Sequence, residues 1–329
     1  MRPDSAAPPQ RMLFIKPGSM GDVIHALPVA TALHRAWPHT DLVWIVDPRW
    51  EPLLEGNPCI EATHLFPRQD FRGISGMKKA WHWYRGLKAL NAGMVVDLQG
   101  LLRTGLMARF SGAGRILGLS DAREGAGFFY TERARVLKNE HAVRRYLRCL
   151  PSMGIAVPEQ PEWILPAGTP YLAEPLNEPY IVLHPFARGA GKSMDAEAVK
   201  AFLAAFLAGS RLRVVLIGTG DDEQESSPRI TNLIGRTSLS ELVAILRNAR
   251  FVVSVDSGPM HLAAALGAPL LSIHTWSDPR LVGPYSETSW IWQGGEIRRQ
   301  NLTAAPLAEK PFRSSDAVEV GTFSAAVSR

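Results

Sequence analysis

Met12-Leu13-Phe14-Ile15-Lys16-Pro17-Gly18-Ser19-Met20-Gly21-Asp22-Val23-Ile24-His25 is the stretch that decides the fold. Residues 12–16 read as a buried strand, because an almost unbroken apolar run of strand length ends there at a Pro-Gly turn. From Met20 the spacing becomes helical and continues to Ala36, stopping before Pro38. A strand that passes through a glycine-bearing turn directly into a helix is the first half of a βαβ unit, which commits the chain to a parallel sheet.

The same alternation recurs along the chain. Further strands are expected at 42–46 and 94–98, then at 180–184, 213–217, 251–255 and 269–273, with helices near 195–207, 238–247 and 259–266. Two doubly wound α/β domains follow. Between them lie Pro158, Pro161, Pro166, Pro170, Pro175 and Pro179, which cannot continue either sheet and read as a linker. The expected division is 1–170, 171–305 and a weakly helical tail, 306–329. Ligands of open parallel sheets sit beyond the carboxyl ends of the strands, so the two domains are expected to face each other across a central cleft lined by strand-end residues.

Composition narrows the class. The chain has 329 residues, 46% hydrophobic and 20% charged, with a mean hydropathy of -0.03, as expected of two packed domains in water. The longest apolar candidate for a membrane span, residues 262–273, is broken by Gly267 and Pro269. Residues 1–10 have no apolar segment of the kind a secretory signal needs, so the cytoplasm is the expected location. Cys59 and Cys149 read as buried thiols rather than a disulfide framework. Residues 1–165 hold 21 Lys and Arg against 15 Asp and Glu, whereas residues 166–329 hold 15 against 16. Within the first half, Arg68, Arg72, Lys78, Lys79, Arg85, Lys88 and Arg103 face only Asp70 and Asp97. Such a run is either a solvated face or a landing surface for an anionic substrate or the inner leaflet of a membrane.

Four strand ends carry chemistry. In the opening stretch, Gly18 and Gly21 permit close approach of a ligand, and the amides around Ser19 lead into a helix entrance that attracts anions. Asp22 is either a first-turn acid of the helix or a carboxylate held over the cleft to accept a proton. His25 reads as a core histidine. The second, His184-Pro185-Phe186-Ala187-Arg188-Gly189-Ala190-Gly191-Lys192-Ser193, ends like a P-loop but has Phe186 where the leading glycine belongs, so an ATPase reading fails. Lys192 beside glycine-freed amides still suits a diphosphate, unless it is a surface lysine. In the third, Asp256-Ser257-Gly258-Pro259-Met260-His261, Ser257 and Gly258 open a helix with Pro at a first-turn position, and His261 lies about one turn inside. The fourth is Gly218-Thr219-Gly220-Asp221-Asp222-Glu223, in which Glu223 replaces the third glycine of a dinucleotide fingerprint; Asp222 or Glu223 could bind ribose hydroxyls. With no strand-end Asp-x-Asp and no His-x-x-x-His, neither a metal nor a cofactor is expected.

Taken together, residues 16–28, Asp97-Leu98-Gln99-Gly100-Leu101, Asp121-Ala122-Arg123-Glu124, Lys192, Ser238-Leu239 and residues 251–265 resemble the family-nine glycosyltransferases, the lipopolysaccharide heptosyltransferases, on the heptosyltransferase I pattern. The resemblance implies a GT-B fold, with an acceptor-binding domain (1–170), a nucleotide-sugar domain (171–305) and a last helix crossing back to the first domain. It implies inverting transfer of heptose from ADP-heptose to an acidic inner-core acceptor of the Kdo-lipid A type, with Asp22 as general base and no metal on the diphosphate. The implied donor set is Lys192, Asp256, Ser257, Gly258, His261, Asp222, Glu223, His184, Ser19 and Gly21. For the acceptor, guanidinium chemistry adds Arg123, Arg103, Arg68 and Arg72, with Gln99 beside them. The expected partners are the nucleotide sugar, an anionic glycolipid and, peripherally, the inner face of the inner membrane; nucleic acid is not expected. Two departures stand out: Ser193-Met194-Asp195 follows Lys192 where a tryptophan is usual, and Phe186-Ala187-Arg188-Gly189-Ala190-Gly191 replaces a Thr-rich loop. Another nucleotide sugar, a sugar-nucleotide epimerase and a non-catalytic nucleotide-sugar binding subunit are therefore the alternatives.

Overall fold

The structure, a computed structural model, describes residues 7–173, 176–219, 227–305 and 307–328. The chain divides into two compact units, residues 1–166 and 167–329, a few residues ahead of the expected 170.

The first unit is built on a six-stranded sheet of β1 (Arg11–Ile15), β2 (Asp41–Val46), β3 (Ala62–Leu65), β4 (Met94–Asp97), β5 (Arg115–Leu119) and β6 (Glu132–Ala134). Its order is β3-β2-β1-β4-β5-β6 and every pairing is parallel. A central parallel strand is covered on both faces, which is why β1 and β2 read as continuous apolar runs rather than alternating ones. Phe14 and Trp44, both fully buried, meet across that pair. The helices are α1 (Met20–Ala36), α2 (Gly73–Gly86), α3 (Leu102–Phe110) and α4 (Ala142–Leu147). Val23, Ile24, Leu27, Val29 and Ala30 of α1 are all buried, so that helix is enclosed on most of its circumference.

The second unit repeats the plan. Its strands are β7 (Tyr180–His184), β8 (Arg213–Leu216), β9 (Ile230–Asn232), β10 (Phe251–Val255), β11 (Leu270–His274), β12 (Trp290–Gln293) and β13 (Glu296–Arg299). The order β13-β12-β11-β10-β7-β8-β9 is the same doubly wound sequence with one antiparallel edge strand, β13, added. The helices are α5 (Ala196–Gly209), α6 (Leu239–Asn248), α7 (Gly258–Ala265), α8 (Pro279–Val282) and α9 (Ser314–Val327). Phe202 and Phe206 of α5 pack with Val253, Ile273 and Trp292 in its core.

The tail is a helix. α9 lies along α5 of its own unit, where Ala317, Val320 and Ala325 join the core. Small residues make this approach possible: a Cβ on Gly321 would stand 2.8 Å from the Phe202 carbonyl. The linker is tied down at both ends. Asn57 Nδ2 donates to the Ile164 carbonyl in the first unit, and the Thr169 amide donates to Ser240 in the second.

Candidate active site

Strand order in the first unit reverses between β1 and β4, the place where open sheets of this kind bind ligands. Lys16, just beyond β1, is buried. Its Nζ donates to the Leu98 carbonyl at 3.2 Å and lies 3.2 Å from Asp22 Oδ1. Asp22 is the third residue of α1. Its Oδ2 accepts from the Ser19 amide at 3.0 Å and the Ser19 hydroxyl at 2.9 Å, the carboxylate's side of a capping box. Its Oδ1 accepts from the Tyr146 hydroxyl at 2.5 Å. The first-turn role that the sequence allows is therefore present and engages Oδ2, while Oδ1 is held by Lys16 and Tyr146.

These contacts set the charge. Burial pushes the Asp22 carboxyl up, but Lys16, the Tyr146 hydroxyl and Ser19 outweigh it and hold it at about 2. The Tyr146 hydroxyl is driven well above its ordinary value by burial and by Asp22, so it remains a donor. Burial also lowers the Lys16 ammonium, against the pull of Asp22. Despite four donors, the Asp22 side chain is 35% exposed, which leaves a fixed anion open on one side. Gly18 is required beside it, since a Cβ there would come within 2.7 Å of Trp50 Nε1. His25 is buried against the His141 ring, in keeping with a core position.

The loop after β4 forms the adjoining wall. Asp97 is fully buried; its Oδ1 accepts from the Gln99 and Gly100 amides and its Oδ2 from the Tyr130 hydroxyl at 2.7 Å. Burial pushes this carboxyl up, and its bonds shape the turn rather than face a ligand. Tyr130 reaches it because Gly118 lies under the ring, where a Cβ would meet Cε2 at 2.0 Å. Gln99, Gly100, Asp121, Arg123 and Arg145 then line a cavity of about 350 Å³. Arg145 pairs with Asp121 at 2.9 Å and its guanidinium stacks 5.4 Å from the centre of the Tyr146 ring, so the cavity wall and the Asp22 pair share Tyr146. Of the expected acceptor residues, Gln99 and Arg123 meet here. Arg68, Arg72 and Arg103 do not line this cavity: Arg68 lies in the turn Arg68–Phe71, Arg72 caps α2, and Arg103 is on α3. Arg103 is depressed by burial and by the charge of Arg68, which marks a separate cationic group.

In the second unit the reversal falls between β7 and β10, and His184, Asp256 and Ser257 stand at those strand ends. Lys192 Nζ donates to Asp256 Oδ2 at 2.6 Å and lies 4.5 Å from the centre of the Trp276 ring. Its loop is closed by Ser193, whose hydroxyl accepts from the Ala187 amide at 2.9 Å. Burial raises the Asp256 carboxyl, and the imidazoles of His274 and His261 together with Lys192 more than reverse this. His184 Nδ1 is 3.1 Å from the Ser257 hydroxyl, and burial pushes that imidazole down to about 4. A neutral His184 thus orients Ser257, the N-cap of α7 and the neighbour of Gly258. Pro259, lacking an N–H, occupies a first-turn position in that helix, and His261 is partly buried a turn inside it. The structure accordingly groups Lys192 with Asp256, and His184 with Ser257. Asp222 and Glu223 lie outside the described residues.

Several residues here escape sequence reasoning. Tyr146 is 124 positions from Asp22, and no local pattern joins them. Arg145 carried a faint signal as half of an Arg-Arg pair on a short helix, and Trp276 and His274 carried none.

The model of Glycosyltransferase family 9 (heptosyltransferase) matches residues 80–305. Lipopolysaccharide heptosyltransferase 1 of Escherichia coli K12 is 28% identical over 318 residues, covering 91% of this chain and 98% of that protein. The enzyme of the same name from Pseudomonas aeruginosa is 28% identical, with 84% of this chain and 82% of its own covered. The structure of E. coli heptosyltransferase WaaC with ADP superposes with a TM-score of 0.72 at 25% identity, covering 85% of this chain and 92% of that one.

Proposed function

The chain belongs to glycosyltransferase family 9, the heptosyltransferases of lipopolysaccharide core synthesis, with the two doubly wound units of a GT-B fold, and on that premise we propose how it works. It moves heptose from ADP-heptose to an acidic inner-core acceptor of the Kdo-lipid A type, inverting the anomeric centre, with Asp22 as general base. The observation that carries this reading is a carboxylate fixed by Lys16, Tyr146 and Ser19 and yet open on one side.

In the proposed step an acceptor hydroxyl attacks the anomeric carbon as the bond from that carbon to the diphosphate oxygen breaks. The hydroxyl proton passes to Asp22 and ADP leaves with the bonding pair. A carboxyl held at about 2 is a weak base, so it takes the proton late, once bond formation has made the acceptor oxygen acidic. In return, it is ionised at any physiological pH.

Lys192, the Ser257 and Gly258 amides, the entrance of α7 and His261 stabilise the charge that develops on the diphosphate. Asp256 holds Lys192, His184 holds Ser257, and the ribose falls to Asp222 or Glu223. The ADP bound by the E. coli relative supports an adenine nucleotide donor. On the acceptor side, Arg123 and Gln99, joined by Arg145, hold sugar carboxylates or phosphates in the cavity beside Tyr146, while Arg68, Arg72 and Arg103 meet anionic groups farther along the lipid-linked chain. No step is assigned to a metal. The reaction is placed on the cytoplasmic side, where the acceptor is presented from a membrane.

Incubation with ADP-heptose and a Kdo-lipid A acceptor tests this reading. One ADP should appear per glycoside formed, and proton NMR of the product should show the anomeric configuration inverted. Retained configuration, or an isomerised sugar from donor alone, overturns it.

A further inference from the structure

Helix α2 presents an apolar stripe that stays exposed, touched in the first unit only where one edge of Trp81 meets the Phe110 ring among the described residues. Ile74 is 87% exposed, Met77 68% and Trp81 57%. They fall at i, i+3 and i+7, with Lys78 and Arg85 on the same face. Rotation of the helix would not hide them, because the opposite face is already used. Trp83 packs on Phe66 and Phe71, Tyr84 packs on Phe110, and a Cβ on Gly76 would stand 2.4 Å from the Phe71 backbone. The inner face is fixed and the outer one is surplus.

Charge decides the occupant. α2 contains Lys78, Lys79 and Arg85 and no acidic residue. Arg68 and Arg72 precede it and Lys88 follows, with Asp70 the sole exposed acid between Arg68 and Arg103, Asp97 being buried. The centre of a protein-binding face is depleted of lysine, whereas lysines interleaved with Trp, Met and Ile are what a helix lying in a bilayer interface needs. We propose that the outer face of α2 docks on an anionic lipid bilayer, with Ile74, Met77 and Trp81 entering the boundary between headgroups and acyl chains and Lys78 and Arg85 on the headgroup phosphates. The proposal uses the reading above only for its purpose, delivery of the protein to a lipid-linked acceptor; docking itself needs neither donor nor acceptor.

The full chain is floated with vesicles of phosphatidylcholine, with and without phosphatidylglycerol. Binding is expected only to the anionic vesicles, weakening with salt. Brominated acyl chains should quench a part of the tryptophan emission that Trp81→Phe removes. The double variant Ile74→Asp with Met77→Asp, at two exposed positions, should bind anionic vesicles more weakly by roughly tenfold or more, with an unchanged thermal midpoint and unchanged ADP binding. Equal binding by that variant, or equal binding to both vesicle types, overturns the proposal. So does anionic binding without quenching, which would mean headgroup contact alone. Loss of self-association in the variant with vesicle binding intact would give the face to a second copy instead. Because no sugar transfer is measured, failure here and failure of the heptosyltransferase reading are separate results.

Discussion

Replacing Tyr146 by Phe removes one donor from Asp22 while keeping the ring that Lys16 and Arg145 face. A hydroxyl donated to a carboxylate contributes about 1.5–3 kcal/mol. With 35% of the Asp22 side chain exposed, solvent replaces part of the lost bond, so the lower figure applies. At about 1.36 kcal/mol per unit, 1.5 kcal/mol is about one unit. The carboxyl, held at about 2 in the native chain, should therefore titrate roughly one unit higher in Tyr146→Phe, with Lys16 still keeping it below the ordinary range. The sign for stability follows from the depressed native value. The contribution is complete above the unfolded value of about 3.9 and is lost as pH falls through the folded one. Unfolding in urea should thus show the variant about 1.5 kcal/mol weaker at pH 7, and the difference should disappear as Asp22 protonates in both proteins. Carbon-13 NMR of labelled aspartate carboxyls, with Asp22→Asn to identify the resonance, follows the titration directly. A midpoint that moves by less than about 0.3 unit, or moves down, refutes the assignment of the low value to Tyr146.

Lys192→Ala should lower kcat by roughly a hundredfold, about 3 kcal/mol of barrier, as for loss of one donor to a developing anion; turnover near the native rate in a continuous ADP-release assay would contradict its role. Arg123→Ala combined with Arg145→Ala should raise the acceptor KM while leaving the donor KM in place, and equal effects on both would remove the cavity from acceptor binding. Gly321→Val should destabilise the second unit by about 1–3 kcal/mol through overpacking between α9 and α5, seen by calorimetry as a lower midpoint; an unchanged midpoint would dismiss the close approach. His184 and His274 are held near 4 by burial, below the unfolded value of about 6.5. The unfolded chain binds their protons first, so stability should fall between those two pH values, and His184→Gln should flatten that slope.

What the sequence discloses is decided by burial. Strands β1, β7 and β10, enclosed on both faces, announce themselves as apolar runs, and their expected ends differ from the observed ones by a residue or not at all. β3, β6 and β9 lie at or beside the sheet edges, are short and half polar, and give no such signal. In β5 the run is interrupted by Gly118, which is there to admit the Tyr130 ring rather than to extend the strand. Helix α2 goes unread for a related reason, since its apolar residues lie on both the packed and the exposed faces. At the candidate site, Asp22, Lys192 and Asp256 are visible because each stands at a strand end or a helix entrance. Tyr146 and Arg145 are not, because only the folded chain brings α4 beside the start of α1. In the tail the helical period is readable, but the packing of α9 on α5 is set by the small-residue face around Gly321, which the period alone does not disclose.

The central claim is that Asp22 accepts the proton of the acceptor hydroxyl. Its most direct test is a paired measurement on Asp22→Asn, an isosteric change that keeps one acceptor oxygen, for Tyr146 or for Ser19, and removes the negative charge: turnover of ADP-heptose with the lipid acceptor, and ADP affinity by calorimetry. The expected result is transfer lowered by roughly a hundredfold or more, the scale of a lost general base, with ADP affinity within a few-fold of native. Transfer retained at the native rate would show that the proton goes elsewhere.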